Sequence, residues 1–404
     1  MSSVETHYQS KGLEEFSVLF TPIQLGTLTI RNKFFMAPLT RDRNVPDNIP
    51  TNLMVEYYRQ RAKGGAGLII SEAMLITQQG TLWPHAPGIW SDEHVRAWKK
   101  ITDAVHEEGA YIYSQLWQVG RINHIDTPQQ VASGEPIYAP SAIQARPGYS
   151  KFRMLPGNPG PSMPVELKDP RRIIEQFRHA AFNAKRAGFD GVEVHTGGGY
   201  LIHEFLDTTT NKRTDEWGGS VENRARFGLE VLKAVTEVWG PGRVGMKLTP
   251  AGGYNDIGMP LEETLETFNY FITEADKLGL SYMMFLRYEV SRDEFRDGKG
   301  RGTPHDVIST YRPLVINSKF FTNQSYTPLE AAQHISSGKV DGVFLGTAWI
   351  ANPDLPKRIE YGIPLNTSID MGRLYGPKDG GVLSEEELAK GYTDYPFAEL
   401  PLAN

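Results

Sequence analysis

The stretch from Arg171 to His195, RRIIEQFRHAAFNAKRAGFDGVEVH, is a helix followed by a strand. Its first part, Arg171 to Gly188, repeats apolar residues at helical spacing and closes on glycine. Its last part, Gly191 to His195, is a short run with two valines of the kind that fills a buried strand. After a loop the same order returns. NRARFGLEVLKAVTEVWG (Asn223 to Gly240) has the helical period and closes on glycine, and VGMKLTP (Val244 to Pro250) is again a strand. Strands with apolar residues on both faces, each joined to the next by a helix, belong to a parallel sheet.

The alternation continues in both directions. Upstream lie NKFFMAPL (Asn32 to Leu39), AGLIISEA (Ala66 to Ala73) and AYIYSQLW (Ala110 to Trp117). Downstream lie SYMMFLRY (Ser281 to Tyr288), KFFTN (Lys319 to Asn323) and GVFLGTAW (Gly342 to Trp349). Helical segments from Thr51 to Gly65, Ser91 to Gly109 and Leu261 to Gly279 separate several of them, each closing on glycine. Eight strand-helix units in sequence predict an α/β fold, a (β/α)₈ TIM barrel, with its active site at the C-terminal ends of the strands. A doubly wound open sheet would call for a G-x-G-x-x-G turn, and Gly197 to Gly199 lacks that spacing. The segment from about Ile122 to Pro164 is rich in proline and without a sustained period. It reads as an excursion after strand three, either capping the barrel mouth or lying on the surface. No repeat or linker divides residues 1–404, so a single domain is expected.

The 404 residues carry 42 Lys+Arg against 48 Asp+Glu, a formal charge of −6, with no basic run. Neither nucleic acid nor an anionic membrane is therefore an expected partner, and a small molecule is. Cysteine is absent, which excludes disulfides, thiolate nucleophiles and iron–sulfur clusters. The opening MSSVETHYQSKGLEEF does not read as a secretory or transit peptide, and no stretch approaches a membrane span. A soluble, cytoplasmic monomer or homodimer is expected.

The strand tips collect Pro38, Thr40, Arg41, Glu72, Ala73, Gln115, Trp117, Arg121, His195, Tyr200, Lys247 and Thr249. This mixture of donors, acceptors and aromatics suits a flat polar ligand. A histidine closing a buried strand is more often a satisfied core residue than a catalyst, and Tyr200 could simply pack the loop after strand four. Their company argues for a site. No metal is expected, because His195 and His203 stand at no recognised ligand spacing and H-E-x-x-H is missing.

HTGGGYLIHEFLDTTTNKRTDEWGGSVENRARF (His195 to Phe227) resembles the signature of the Old Yellow Enzyme family of FMN-dependent ene-reductases. FMAPLTR (Phe35 to Arg41), SEA (Ser71 to Ala73), APGIWSDE (Ala86 to Glu93), QLWQVGR (Gln115 to Arg121), IANPDLPKR (Ile350 to Arg358) and GYTDYP (Gly391 to Pro396) extend the similarity over nearly the whole chain. The resemblance implies FMN as cofactor, NADPH as hydride donor and reduction of the C=C bond of an enone or enal. It implies that Pro38, Thr40, Ala73, Gln115 and Lys247 meet the flavin ring, while Trp117 and Tyr375 line the substrate side. It makes His195 the binder of the substrate carbonyl and Tyr200 the proton donor. Apart from the resemblance, the Trp83-Pro84-His85 loop is read as admitting a bulky substrate, with Trp83 against it.

Three departures from the family pattern stand out. Gly198 replaces a second carbonyl-binding His or Asn, and Lys247 replaces the usual arginine of strand five. At the phosphate end, Asn323-Gln324-Ser325 and Gly346-Thr347 stand where the family has a glycine-rich pair and Gly-Arg. Either these residues still hold the FMN phosphate, or the cradle has decayed and the barrel is a non-redox isomerase or cyclase using His195 and Tyr200.

Overall fold

The computed structural model describes residues 14–45, 47–146, 148, 150–377 and 383–400. The opening segment's reading as neither signal nor transit peptide falls mainly on residues 1–13, outside the described residues. Eight parallel strands form one closed barrel: β1 Phe35–Met36, β2 Leu68–Leu75, β3 Tyr111–Trp117, β4 Gly191–His195, β5 Val244–Leu248, β6 Tyr282–Leu286, β7 Lys319–Asn323 and β8 Gly342–Leu345. Each strand pairs with its sequence neighbours, and β8 closes on β1. The eight runs expected from the sequence are these eight strands, with ends shifted by a few residues. The helices between them are α1 Asn52–Lys63, α2 Asp92–Glu107, α3 Arg171–Arg186, α4 Val221–Trp239, α5 Leu261–Asp276, α6 Val307–Tyr311, α7 Pro328–Ser336 and α8 Leu355–Glu360. Serine side chains cap α2 and α4, where Ser91 accepts from the amide of His94 and Ser220 from that of Asn223.

Two-residue periodicity divides each strand between two cores. Along β6, Tyr282 and Met284 face the barrel interior with Phe35, Phe321 and Phe344, whereas Met283 and Phe285 face the helices. The interior is filled rather than hollow: the Tyr282 and Phe321 rings stack 5.2 Å apart, as do Phe35 and Phe321. An antiparallel hairpin, Ile23–Leu25 with Leu28–Ile30, adds Leu25, Leu28 and Ile30 to the interior cluster at the N-terminal end. The other end is left open to loops.

The excursion after β3 contains a short helix, Pro128–Ser133, and a two-residue pairing of Tyr138–Ala139 with Val165–Glu166. It docks on the loops after β4 and β5. Arg146 forms an ion pair of 2.5 Å with Asp256, and the Arg213 guanidinium donates to the carbonyl of Pro140 at 3.2 Å.

Candidate active site

Interior-facing residues at the C-terminal ends of β3, β4 and β5 form two layers. In the lower one, the Gln115 amide donates to Oε1 of Glu193 at 2.6 Å and the Tyr282 hydroxyl donates to Oε2 at 2.8 Å. In the upper one, the β4–β5 ladder pairs His195 with Lys247. Burial raises the Glu193 carboxyl above the usual carboxylate range, against the pull of Lys247. Burial likewise lowers the Lys247 ammonium, opposed by Glu193 and reinforced by Arg292.

The loop after β4 then turns over the barrel rim. Thr196 anchors it, donating its amide and hydroxyl to the carbonyl of Lys247 at 3.1 and 2.7 Å. A Cβ on Gly197 would stand 2.3 Å from the Thr249 hydroxyl, so only glycine lets the loop pass β5 this closely. Gly198 has a φ of +68°, and its carbonyl accepts from the Asn255 amide at 2.7 Å. These constraints bring Tyr200 back over His195, their rings edge to face at 5.0 Å.

A cavity of about 590 Å³ opens above this layer. Its wall includes Pro38, Thr40, His195, Tyr200 and Lys247 on one side. Asn323, Gln324, Gly346 and Thr347 lie at the β7 and β8 ends, and Trp83 and Tyr375 at the rim. Ala73, Gln115 and Trp117 are buried and do not belong to that wall. Gln115 is held by Glu193, while Trp117 backs the aromatic rim, 5.0 Å from the Tyr200 ring and 6.0 Å from Trp83. Trp83 in turn meets Tyr375 at 6.0 Å.

Several residues of the site were not assigned a place by sequence reading. Arg287, Glu289 and Arg292 follow β6 and line the cavity, as does Tyr254 after β5. The rule that singled out the tips of β1 to β5 would have found Arg287 had it been carried to β6. Glu72 carried no expected role. It sits at a register shift in β2 and its Oε2 accepts from the amides of Arg41 and Asp42 at 3.1 and 3.3 Å, fixing the loop after β1. Tyr375 reaches the cavity because Arg41 bonds both sides of it: its Nε donates to the Leu374 carbonyl at 2.9 Å and its carbonyl accepts from Gly376 at 2.9 Å.

Burial drives the His195 imidazole well below its ordinary range, with Lys247 and His203 adding to the effect. It is therefore neutral at pH 7, one ring nitrogen donating and the other accepting. Its Nδ1 is buried without a hydrogen-bond partner. Burial pushes the Tyr200 phenol well above its ordinary range, Tyr254 adds to the rise, and a hydrogen bond with Asn255 opposes it. Tyr200 thus keeps its proton across physiological pH.

A model of the NADH:flavin oxidoreductase / NADH oxidase family matches residues 18–366. The chain belongs to that family. It is 38% identical over 392 residues to the NADP-dependent oxidoreductase lnbE of Aspergillus flavus, covering 95% of this chain and 97% of the relative. It is 37% identical to a probable flavin mononucleotide-dependent alkene reductase of Leishmania infantum, covering 96% and 100%. The solved structure of the old yellow enzyme homologue from Zymomonas mobilis superposes with a TM-score of 0.80 at 36% identity, covering 94% and 99%. The expected Old Yellow Enzyme family and barrel are therefore the observed ones, and the protein is an FMN-dependent oxidoreductase that takes its hydride from a nicotinamide. The wall fits that cofactor in chemistry as well. It offers a cation at Lys247, the hydroxyl of Thr40, and main-chain amides of Gln324, Ser325, Gly346 and Thr347 that donate to no carbonyl. Such amides suit a phosphate. Among the described residues no helix is long and apolar enough to cross a membrane, and no group of His, Cys, Asp or Glu could hold a metal ion.

Proposed function

We propose that the protein reduces the C=C bond of an α,β-unsaturated aldehyde or ketone with NADPH, and that His195 and Tyr200 are its catalytic residues. The observation that carries this reading is the pairing of a neutral imidazole, whose buried Nδ1 has no hydrogen-bond partner, with a protonated phenol at the wall of one cavity. FMN, when bound, relays the hydride that ends on the carbon β to the carbonyl.

His195 binds the carbonyl oxygen through its ring N–H. As the C=C bond polarises, negative charge gathers on that oxygen, and a donor already in place stabilises it; one such donor is worth roughly 10²-fold or more in rate. Tyr200 holds its proton above the same carbonyl group and delivers it to the α-carbon, a general-acid role worth on the order of 10²–10⁴-fold. Trp83 and Tyr375 close the rim with aromatic faces, which exclude water and hold a flat substrate. Lys247, Pro38 and Thr40 would hold the flavin ring, Lys247 on its pyrimidine side. Gln115 and Ala73 support that side from beneath and Trp117 supports the substrate side. The Ile122–Pro164 excursion holds the loops after β4 and β5 over the mouth as a cap, all within one domain. The reaction belongs to the cytosol, where reduced nicotinamide is supplied.

The test is the absorption spectrum of the freshly purified full-length protein, followed by anaerobic addition of NADPH and then a cyclic enone. A flavin band that NADPH bleaches and the enone restores is the expected result. A colourless protein that does not quench added FMN overturns the reading and leaves acid–base isomerisation by the same pair.

A further inference from the structure

The end of the cavity formed by β7 and β8 departs most from the family pattern, and its backbone is unusual. Gln324 and Ser325 both have positive φ, 96° and 54°, although neither is glycine. Such conformations cost free energy and persist only where the surroundings impose them. Here one side chain does so. Arg287, at the end of β6, donates from Nε to the carbonyl of Gln324 at 2.9 Å and from Nη2 to the carbonyl of Ser325 at 3.0 Å. Its guanidinium lies 4.0 Å from the centre of the Tyr326 ring and pairs with Glu330 at 2.5 Å.

In a trans peptide the C=O and the following N–H point to opposite sides. Two carbonyls turned toward Arg287 therefore turn the amides of Ser325 and Tyr326 away from it. Neither amide donates to a backbone or side-chain acceptor, and the same holds for Gln324, Gly346 and Thr347. All of these residues line the cavity together with Arg287. Unbonded main-chain amides grouped on one wall of the cavity form an anion site.

We propose that Arg287 is the positioning residue of the flavin phosphate site in this chain. It shapes a loop without glycine into the left-handed turn that presents its amides, and it holds a guanidinium, paired with Glu330 through both Nη atoms, against that loop. The Asn323 side-chain amide gives one of its two N–H groups to the carbonyl of Phe344 at 2.5 Å and keeps the other. The inference rests on the flavin reading and assigns the phosphate monoester of FMN to these groups.

The experiment titrates the full-length, flavin-stripped chain with FMN and with riboflavin, which lacks the phosphate, following flavin fluorescence at fixed salt. Wild type should bind FMN at least ~10-fold more tightly than riboflavin. Arg287→Gln should bring that ratio close to one with riboflavin affinity unchanged, and Arg287→Lys, which keeps charge but loses the fork, should fall between. Glu330→Gln, which leaves Arg287 in place and removes its counter-charge, should raise the ratio; it carries the test if Arg287→Gln does not fold. An unchanged ratio in Arg287→Gln or Glu330→Gln, or equal loss of both flavins, overturns the inference. A wild-type chain that binds both flavins equally overturns it while leaving the flavin reading intact. One that binds neither overturns both.

Discussion

The rings of His195 and Tyr200 meet edge to face at 5.0 Å with an interplanar angle of 83°. One closes β4 and the other opens the helix Leu201–Leu206, and the three glycines between them bring the pair to one wall of the cavity. If Tyr200 is the proton donor, Tyr200→Phe preserves the ring packing and removes only the acid. Reduction of the flavin by NADPH should then proceed at the wild-type rate, while turnover of a cyclic enone slows by roughly 10² or more. Stopped-flow measurement of the two half-reactions separates the two effects. Equal slowing of both would make Tyr200 a packing residue.

Gly198 stands between these two rings. A Cβ there would lie 3.1 Å from Cε2 of Tyr200 and 3.2 Å from Cε1 of His195, and its φ of +68° disfavours any side chain. Gly198→Ala should therefore cost roughly 1–2 kcal/mol of stability and lower kcat by displacing both rings. Urea melts and steady-state kinetics check the two parts. A variant as stable and as active as wild type would show that the turn relaxes freely.

Two buried carboxyls give stability a pH dependence of known sign. Burial pushes Glu204 up to about 8, partly offset by Arg121, and Glu72 up to about 7, partly offset by the amides of Arg41 and Asp42. In the unfolded chain both return to about 4.5. The folded state thus keeps protons that the unfolded state has lost, so stability is full below about pH 4.5 and falls as pH rises toward 7 and 8, by roughly 1.4 kcal/mol per unit for each group. Glu204→Gln removes one contribution. Its Tm should decline less steeply than that of wild type between pH 5 and 8 in scanning calorimetry, and parallel curves would contradict the assignment.

Arg43 fastens the segment that carries Tyr375. Its guanidinium donates to the carbonyls of Leu388, Arg41 and Arg373 at 2.9, 2.8 and 2.7 Å and lies 4.6 Å from the centre of the Tyr392 ring. Arg43→Met leaves three carbonyls without this donor, each worth roughly 1 kcal/mol or more, so a loss of about 3 kcal/mol is expected in denaturant titration. With Tyr375 released, KM for the enone should rise while FMN affinity holds. A fall in FMN affinity of the same size would place the effect in the barrel itself.

The barrel was legible in the sequence because its strands are buried on both faces and its helices are amphipathic, so the alternation of short apolar runs with helical periods survives in the order of residues. His195, Tyr200 and Lys247 were legible because strand tips are where such a barrel carries chemistry. Gln115 and Trp117 show the limit of that rule. They end a strand as the others do, yet Glu193 and the aromatic rim keep them below the cavity wall.

What the sequence by itself determined is the order of eight strands and helices and the identities of the groups at their ends, which depend on local periodicity and spacing. The tertiary structure alone decided which of those groups share a surface. Arg287 meets Gln324 and Ser325, and Arg41 meets Leu374, across 37, 38 and 333 positions of chain. No local pattern records such pairings, because they arise only when barrel closure places distant strand ends side by side and buried polar groups must find partners there.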